Sequence, residues 1–166
     1  MSLRSIPLIA LLGLALSAPA LAADGSSGWA FSAGGFDPFK EEFRAVELGI
    51  EYRFEAFDLW GLSLKPVAGF SGTDENAFWG YGGLRWDIPI WGERIIPTLG
   101  FAVSLYEDGD GKDLGGVLEF RSSFEIAYRF DNGHRLGLSV YHLSNASIYD
   151  FNPGSESVIL TWSLGR

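Results

Sequence analysis

The sequence predicts an all-β protein, an eight-stranded antiparallel β-barrel that crosses a membrane. Eight segments alternate apolar and polar residues with a period of two, which indicates strands. Their length is close to the roughly 9–11 residues that a tilted strand needs to cross a bilayer. Longer, more polar loops alternate with short turns along the chain, an asymmetry typical of outer-membrane barrels.

The first 22 residues are predicted to be a secretory signal peptide. Arg4 supplies the charged start, an apolar run covers 6–16, and Ala20-Leu21-Ala22 is a small-residue cleavage site. The run is too short for a membrane anchor. We therefore expect one barrel domain over residues 23–166.

Charge and cysteine usage exclude two classes of protein. Without Arg4, residues 23–166 carry 11 basic (12 − 1) and 21 acidic side chains, a net charge of −10. Nucleic-acid binding calls for a basic patch, so it is not expected here. The absence of cysteine excludes a small disulfide scaffold.

The first four strands are predicted at 29–36, 45–54, 59–70 and 77–88. The second shows the strictest alternation, because Val46, Leu48 and Ile50 lie on one face while Glu47 and Glu51 lie on the other. A loop at 37–44 and a polar loop at 71–76 separate strands at one end. A short turn at 55–58 joins the second strand to the third.

The last four strands are predicted at 94–105, 118–130, 135–144 and 156–164. A turn at 89–93 precedes them, and an acidic, glycine-rich loop covers 107–116. Asn132-Gly133 predicts a tight hairpin between the sixth and seventh strands. A longer loop at 145–155 leads into the last strand.

The polar faces decide which side of the barrel meets lipid. They carry charges of both signs that could pair inside a lumen: Glu47, Glu51, Arg53, Arg85, Asp87, Glu119, Arg121, Glu125 and Arg129. We therefore expect the apolar faces to point outward, as in a membrane barrel. A water-soluble, lipocalin-like barrel with the opposite orientation is the alternative.

The segment 141–157 holds the three residue types of an acyl-transfer triad. His142 and Ser144 are two residues apart, so they share one face of a strand. Glu156 follows a loop that contains Pro153 and Gly154, and antiparallel strands would return it beside His142. A serine nucleophile needs such a base, and the base needs an orienting carboxylate.

All three residues interrupt the apolar series on the face predicted to meet lipid. If the N-terminus is periplasmic, they lie at the outer ends of their strands. A hydrolytic site for a lipid of the outer leaflet is the simplest interpretation. The alternative is that polar residues end the strands at the membrane interface without any chemistry.

The segment resembles the lipid A 3-O-deacylase (PagL) family of outer-membrane barrels. The matching residues are His142-x-Ser144-Asn145-Ala146, followed by Asn152 and Glu156. The resemblance implies hydrolysis of the ester-linked acyl chain at position 3 of lipid A in lipopolysaccharide. It implies Ser144 as nucleophile, His142 as general base and then acid, and Glu156 as the carboxylate that orients His142.

The resemblance also implies oxyanion donors in the loop that follows the serine. They would be the backbone around Ala146 and Ser147 and the side chain of Asn152. Ser147 stands where we expect glycine in the family. No metal or cofactor is implied, and a calcium loop starting at Asp108 fails because Lys112 occupies a ligand position.

Two other functions fit the predicted barrel. A structural or adhesion barrel would not need Ser144, and an outer-membrane phospholipase would act on a different ester. The sequence does not decide the preferred acyl length or whether the barrel forms a homodimer.

Overall fold

The structure is a computed structural model that describes residues 27–165. The signal peptide predicted at residues 1–22 lies outside these residues. Within residues 27–165 there are nine strands: β1 (Gly28–Phe36), β2 (Ala45–Arg53), β3 (Phe57–Leu59), β4 (Leu62–Thr73), β5 (Phe78–Asp87), β6 (Ile95–Glu107), β7 (Leu118–Arg129), β8 (Arg135–Ser144) and β9 (Ser155–Ser163). A 3₁₀ turn covers Glu41–Phe43.

Eight of these strands form a closed antiparallel barrel, as the sequence predicts. Each long strand pairs with the next along the chain, and β1 also pairs with β9. Pairing of β2 with β4 completes the circle, so the short strand β3 lies outside the barrel wall. Closure leaves no long strand with an unpaired edge, which a bilayer would penalise.

The junction between β2 and β4 differs from the prediction of a simple turn at 55–58. There, β3 pairs with the start of β4 through a tight hairpin. Trp60 and Gly61 both have positive φ angles, of 52° and 83°, which suits a two-residue hairpin turn. The chain therefore reverses at 60–61, and β4 starts three residues later than predicted.

The two faces of the barrel wall have the predicted orientation. On β2, Val46 and Ile50 are exposed, whereas Glu47 and Glu51 are buried in the interior. The same alternation places a large set of apolar side chains on the outer surface, including Phe70, Leu99, Phe101, Ile126 and Leu160. This is the surface that a membrane barrel presents to lipid.

A charge network fills the middle of the lumen. Arg85 contacts Glu125 at 2.8 Å and Glu51 at 3.5 Å. Arg53 contacts the same two carboxylates, Glu51 at 2.8 Å and Glu125 at 3.5 Å. Two carboxylates and two guanidinium groups therefore neutralise one another, which removes most of the penalty for burying each charge.

Buried apolar side chains fill the interior of the barrel at one end. This end carries the loops after β1, β4, β6 and β8. A hydrophobic cluster there includes Phe36, Trp79, Tyr106, Leu143 and Ile159. We call this end the outer end, because the loops after β6 and β8 are longer than any connection at the opposite end. No helix among residues 27–165 has the length and hydropathy needed to span a membrane.

Candidate functional site

His142 and Glu156 occupy directly opposed positions on β8 and β9. Their side chains point to the outer surface, where each is 47% exposed. His142 Nδ1 lies 3.2 Å from Glu156 Oε1, within hydrogen-bonding distance. This contact places the Nδ1 proton toward the carboxylate and leaves Nε2 to accept a proton.

Ser144 ends β8 two residues beyond His142, on the same face. It pairs with Phe120 on β7, and its side chain is partly exposed. Within the described part of the chain, Ser144 Oγ has no hydrogen bond to the imidazole. Catalytic hydrogen bonds are often long before substrate binds, so the absence of this hydrogen bond is compatible with Ser144 as nucleophile and His142 as base.

Ser122 is a polar neighbour that sequence reasoning did not select. It lies on β7 directly opposite His142, so Ser122, His142 and Glu156 form a row across three strands. Ser122 is exposed on the outer face among apolar residues. The only sign of Ser122 in the sequence is that it interrupts the apolar alternation of 118–130. The residue opposite it on the next strand could not be predicted.

Asn145 organises the loop at 145–154 that follows Ser144. Its buried side-chain amide donates to the carbonyl oxygens of Leu114 at 2.9 Å and Phe151 at 2.8 Å. Its side-chain oxygen accepts from the Ser147 backbone N–H at 3.0 Å. Asn145 therefore joins the loop to the neighbouring 108–117 loop, and the Ser147 amide is already engaged.

Asn152 makes a second side-chain hydrogen bond that stabilises this loop. Its Oδ1 accepts from the Asn145 backbone N–H at 3.1 Å, which directs the Nδ2 group to the other side. Ala146 and Ser147 both have positive φ angles, of 53° and 62°. This tight turn carries the Ala146 amide, which has no hydrogen-bond acceptor among residues 27–165.

A shallow groove lies beside the His142–Glu156 pair on the outer surface. Ser122 and a set of apolar side chains line it: Phe39, Phe124, Val140 and Val158. Phe39 comes from the β1–β2 loop, and the others come from β7, β8 and β9. An apolar groove that ends at a histidine–carboxylate pair suits a ligand with a hydrocarbon chain and a polar head.

No group of three or more His, Cys, Asp or Glu side chains within 27–165 is arranged to hold a metal ion. The acidic loop after β6 directs Lys112 inward, where it contacts Asp37.

Fold and surface together define a class, that of outer-membrane β-barrels with serine, histidine and carboxylate residues clustered on the outward face. The chain matches the family model described as lipid A 3-O-deacylase (PagL) over residues 44–164, and it belongs to this family. The matched range includes the eight strands from β2 to β9 and every polar residue of the candidate site.

A curated relative agrees with this assignment. The chain is 27% identical to the lipid A deacylase PagL of Bordetella bronchiseptica over 119 residues, which is 63% of this chain. It spans 64% of the length of that curated relative.

Solved structures show the same fold. The crystal structure of the outer membrane enzyme PagL matches with a TM-score of 0.65, at 20% identity, over 85% of this chain and all of that one. A de novo designed transmembrane β-barrel matches with a TM-score of 0.59 at 9% identity, over 86% of this chain and 97% of that one. Both matches show that the chain has the fold of a transmembrane β-barrel.

Proposed function

We propose that this protein hydrolyses the ester-linked acyl chain at position 3 of lipid A, with Ser144, His142 and Glu156 as its catalytic residues. The contact between His142 Nδ1 and Glu156 Oε1 on the outward face carries the proposal. A histidine held by a carboxylate is the arrangement that activates a serine hydroxyl. Membership of the lipid A 3-O-deacylase family supplies the substrate class.

The proposed reaction has two steps. Ser144 Oγ attacks the ester carbonyl carbon and passes its proton to His142 Nε2. The bond between the carbonyl carbon and the sugar oxygen then breaks, and His142 returns the proton to that oxygen, which leaves as a sugar hydroxyl group. Water activated by His142 hydrolyses the acyl-serine, which releases a fatty acid and restores Ser144. Glu156 stabilises the imidazolium in both steps.

Two donors in the 145–154 loop are suited to the oxyanion. The Ala146 amide is uncommitted among the described residues, and Asn152 turns its Nδ2 away from Asn145. Both lie in the loop that follows Ser144 in the chain, which favours Ser144 over Ser122 as the nucleophile. Donors of this kind stabilise the charge that develops on the carbonyl oxygen.

The surroundings of the pair support a lipid substrate. The apolar groove lined by Phe39, Phe124 and Val158 could hold a hydrocarbon chain beside His142. The pair lies near the outer ends of β8 and β9, at the height expected for the headgroups of the outer leaflet. Lipid A is the outer-leaflet lipid that family membership indicates.

Mass spectrometry of lipid A from cells that express this protein tests the proposal. We expect loss of one acyl chain from position 3, and no loss with Ser144→Ala. Ser122→Ala is the matched control, since it removes the other serine beside His142 and should retain activity. Loss of activity in Ser122→Ala with retention in Ser144→Ala would overturn the assignment of the nucleophile.

A second assay separates the alternative functions. Purified protein in detergent is incubated with lipid A or with a phospholipid, and released fatty acid is measured. Release from phospholipid alone would identify a phospholipase. No release from either lipid by correctly folded protein would favour a structural barrel.

A further inference from the structure

A buried ion pair lies behind the candidate site, at the outer end of the barrel. Lys112 Nζ, from the loop after β6, contacts Asp37 Oδ2, from the loop after β1. Both side chains are almost completely buried, whereas Lys40, which lies 3.9 Å from Asp37, is exposed. A buried lysine is costly, so its neighbours must compensate for the lost hydration.

The Lys112 ammonium group also donates to the loop that carries the candidate site. Its Nζ lies 2.5 Å from the carbonyl oxygen of Gly154. The Tyr106 hydroxyl fixes the Lys112 backbone by donating to its carbonyl oxygen at 2.8 Å. Lys112 therefore joins three loops of the outer end through one charged group.

Both partners of Lys112 lie against the catalytic pair. A Cβ atom added to Gly154 would lie only 2.7 Å from His142 Cε1 and 3.1 Å from Nε2, so the Gly154 backbone packs against the imidazole. The Asp37 backbone N–H donates to the carbonyl oxygen of Glu156 at 2.6 Å. One partner therefore limits the position of His142, and the other fixes the backbone of Glu156.

We infer that Lys112 and Asp37 are positioning residues that keep the side chains of His142 and Glu156 in contact for the reaction. This inference rests on the proposed function, since it assigns a role within that same site. Lys112 is buried and acts through the Gly154 carbonyl rather than by contact with the substrate. Loss of this contact frees the Gly154 backbone and lets the imidazole move away from Glu156.

The test compares two lysine variants of the full-length protein in detergent. Lys112→Met removes the ammonium group that joins the three loops, and Lys65→Met is the matched control. Lys65 is also buried and lies 3.4 Å from Asp87, but near the opposite end of the barrel. We expect Lys112→Met to lower kcat on lipid A about 10- to 100-fold, since small displacements of catalytic groups cost rates of this order. KM should change by less than about twofold, because the substrate surface stays intact.

An imidazole readout is independent of activity. The chain has two histidines, so a His134→Asn background leaves His142 as the sole imidazole. Nitrogen-15 shifts at mildly alkaline pH report its tautomer. The parent should show one dominant tautomer with the proton on Nδ1, facing Glu156, and Lys112→Met should show averaged signals. Lys65→Met should keep the parent signals.

A double variant separates positioning from charge balance. Asp37→Asn with Lys112→Met removes both buried charges but keeps the Asp37 backbone. A folded barrel with low kcat supports the positioning role, and a restored kcat overturns it. Equal behaviour of Lys112→Met and Lys65→Met would also overturn it. Inactivity of the parent on lipid A would reject the proposed function alone, and the imidazole signals would still decide the role of Lys112.

Discussion

His142 and Glu156 are 14 positions apart in the chain (156 − 142), yet they face each other across β8 and β9 with Nδ1 and Oε1 at 3.2 Å. Cross-strand neighbours in an antiparallel pair are held at a fixed separation by the backbone. The wall of the barrel therefore brings the two side chains together, and the loop residues Gly154 and Asp37 then limit how far each can move. The predictions for Glu156 and Gly154 depend on this geometry.

Replacement of Glu156 by glutamine should reduce activity strongly while the barrel remains folded. The amide oxygen can still accept from Nδ1–H, but the amide group does not stabilise an imidazolium as a carboxylate does. In serine hydrolases the equivalent change costs up to about 10⁴-fold in kcat. Release of fatty acid from lipid A in detergent measures it, and Glu156→Asp serves as the charge-conserving control. Full activity of Glu156→Gln would remove Glu156 from the mechanism.

Gly154→Ala should reduce activity because the new methyl group would displace the imidazole of His142. The residue also has a positive φ of 57°, which disfavours alanine. Gly61→Ala is a matched control, since Gly61 has a φ of 83° but no neighbour within 4 Å of an added Cβ. Both variants carry backbone strain, and only Gly154→Ala should lose turnover. Equal losses would show that strain, rather than contact with His142, is the cause.

Asn152→Asp tests the proposed oxyanion donor. Aspartate keeps an acceptor for the Asn145 backbone N–H, which Asn152 Oδ1 accepts at 3.1 Å, so the loop should stay ordered. The change replaces the Nδ2 donor with an oxygen that repels a developing oxyanion. We expect kcat to fall about 10²- to 10³-fold, the usual cost of removing such a donor. Activity within about twofold of the parent would indicate that the Ala146 amide acts without Asn152.

Ser147→Gly should be tolerated or stabilising. Ser147 has a positive φ of 62°, a conformation that costs a non-glycine residue roughly 1 kcal/mol. Its backbone N–H already donates to Asn145 Oδ1, and glycine retains that group. Turnover should stay within about twofold of the parent, and the denaturant midpoint for unfolding should rise slightly. A large loss of turnover would assign a role to the Ser147 hydroxyl.

Arg85→Met should lower the free energy of unfolding of the barrel, because it breaks the charge network in the lumen. It leaves the buried carboxylates of Glu51 and Glu125 with Arg53 as their remaining cation in the network. Breaking a buried ion pair in this way costs about 3–5 kcal/mol of unfolding free energy. Urea titration of the protein in lipid vesicles measures it. Arg94→Met, which removes the exposed pair with Asp131, should leave the midpoint unchanged.

The barrel itself could be predicted because its signal is local. Alternation of Val46 and Ile50 with Glu47 and Glu51 identifies both the strand and the face that meets lipid. His142, Ser144 and Glu156 could be selected for the same reason, since all three interrupt an apolar series. The prediction of a simple turn at 55–58 was wrong, because the positive φ angles of Trp60 and Gly61 let the chain reverse at 60–61 instead.

Contacts between distant strands and loops could not be predicted. Barrel closure places Ser122 opposite His142, although nothing near Ser122 in the chain specifies its partner. Closure also brings Lys112 to Asp37, which the sequence predicts only as members of two separate loops. The sequence by itself determined the eight strands of the barrel wall and their lipid-facing surface, because both follow from a period of two, and it showed which polar residues interrupt that surface. Only the tertiary structure decided which side chains meet, because the register between strands and the packing of loops depend on closure of the whole barrel.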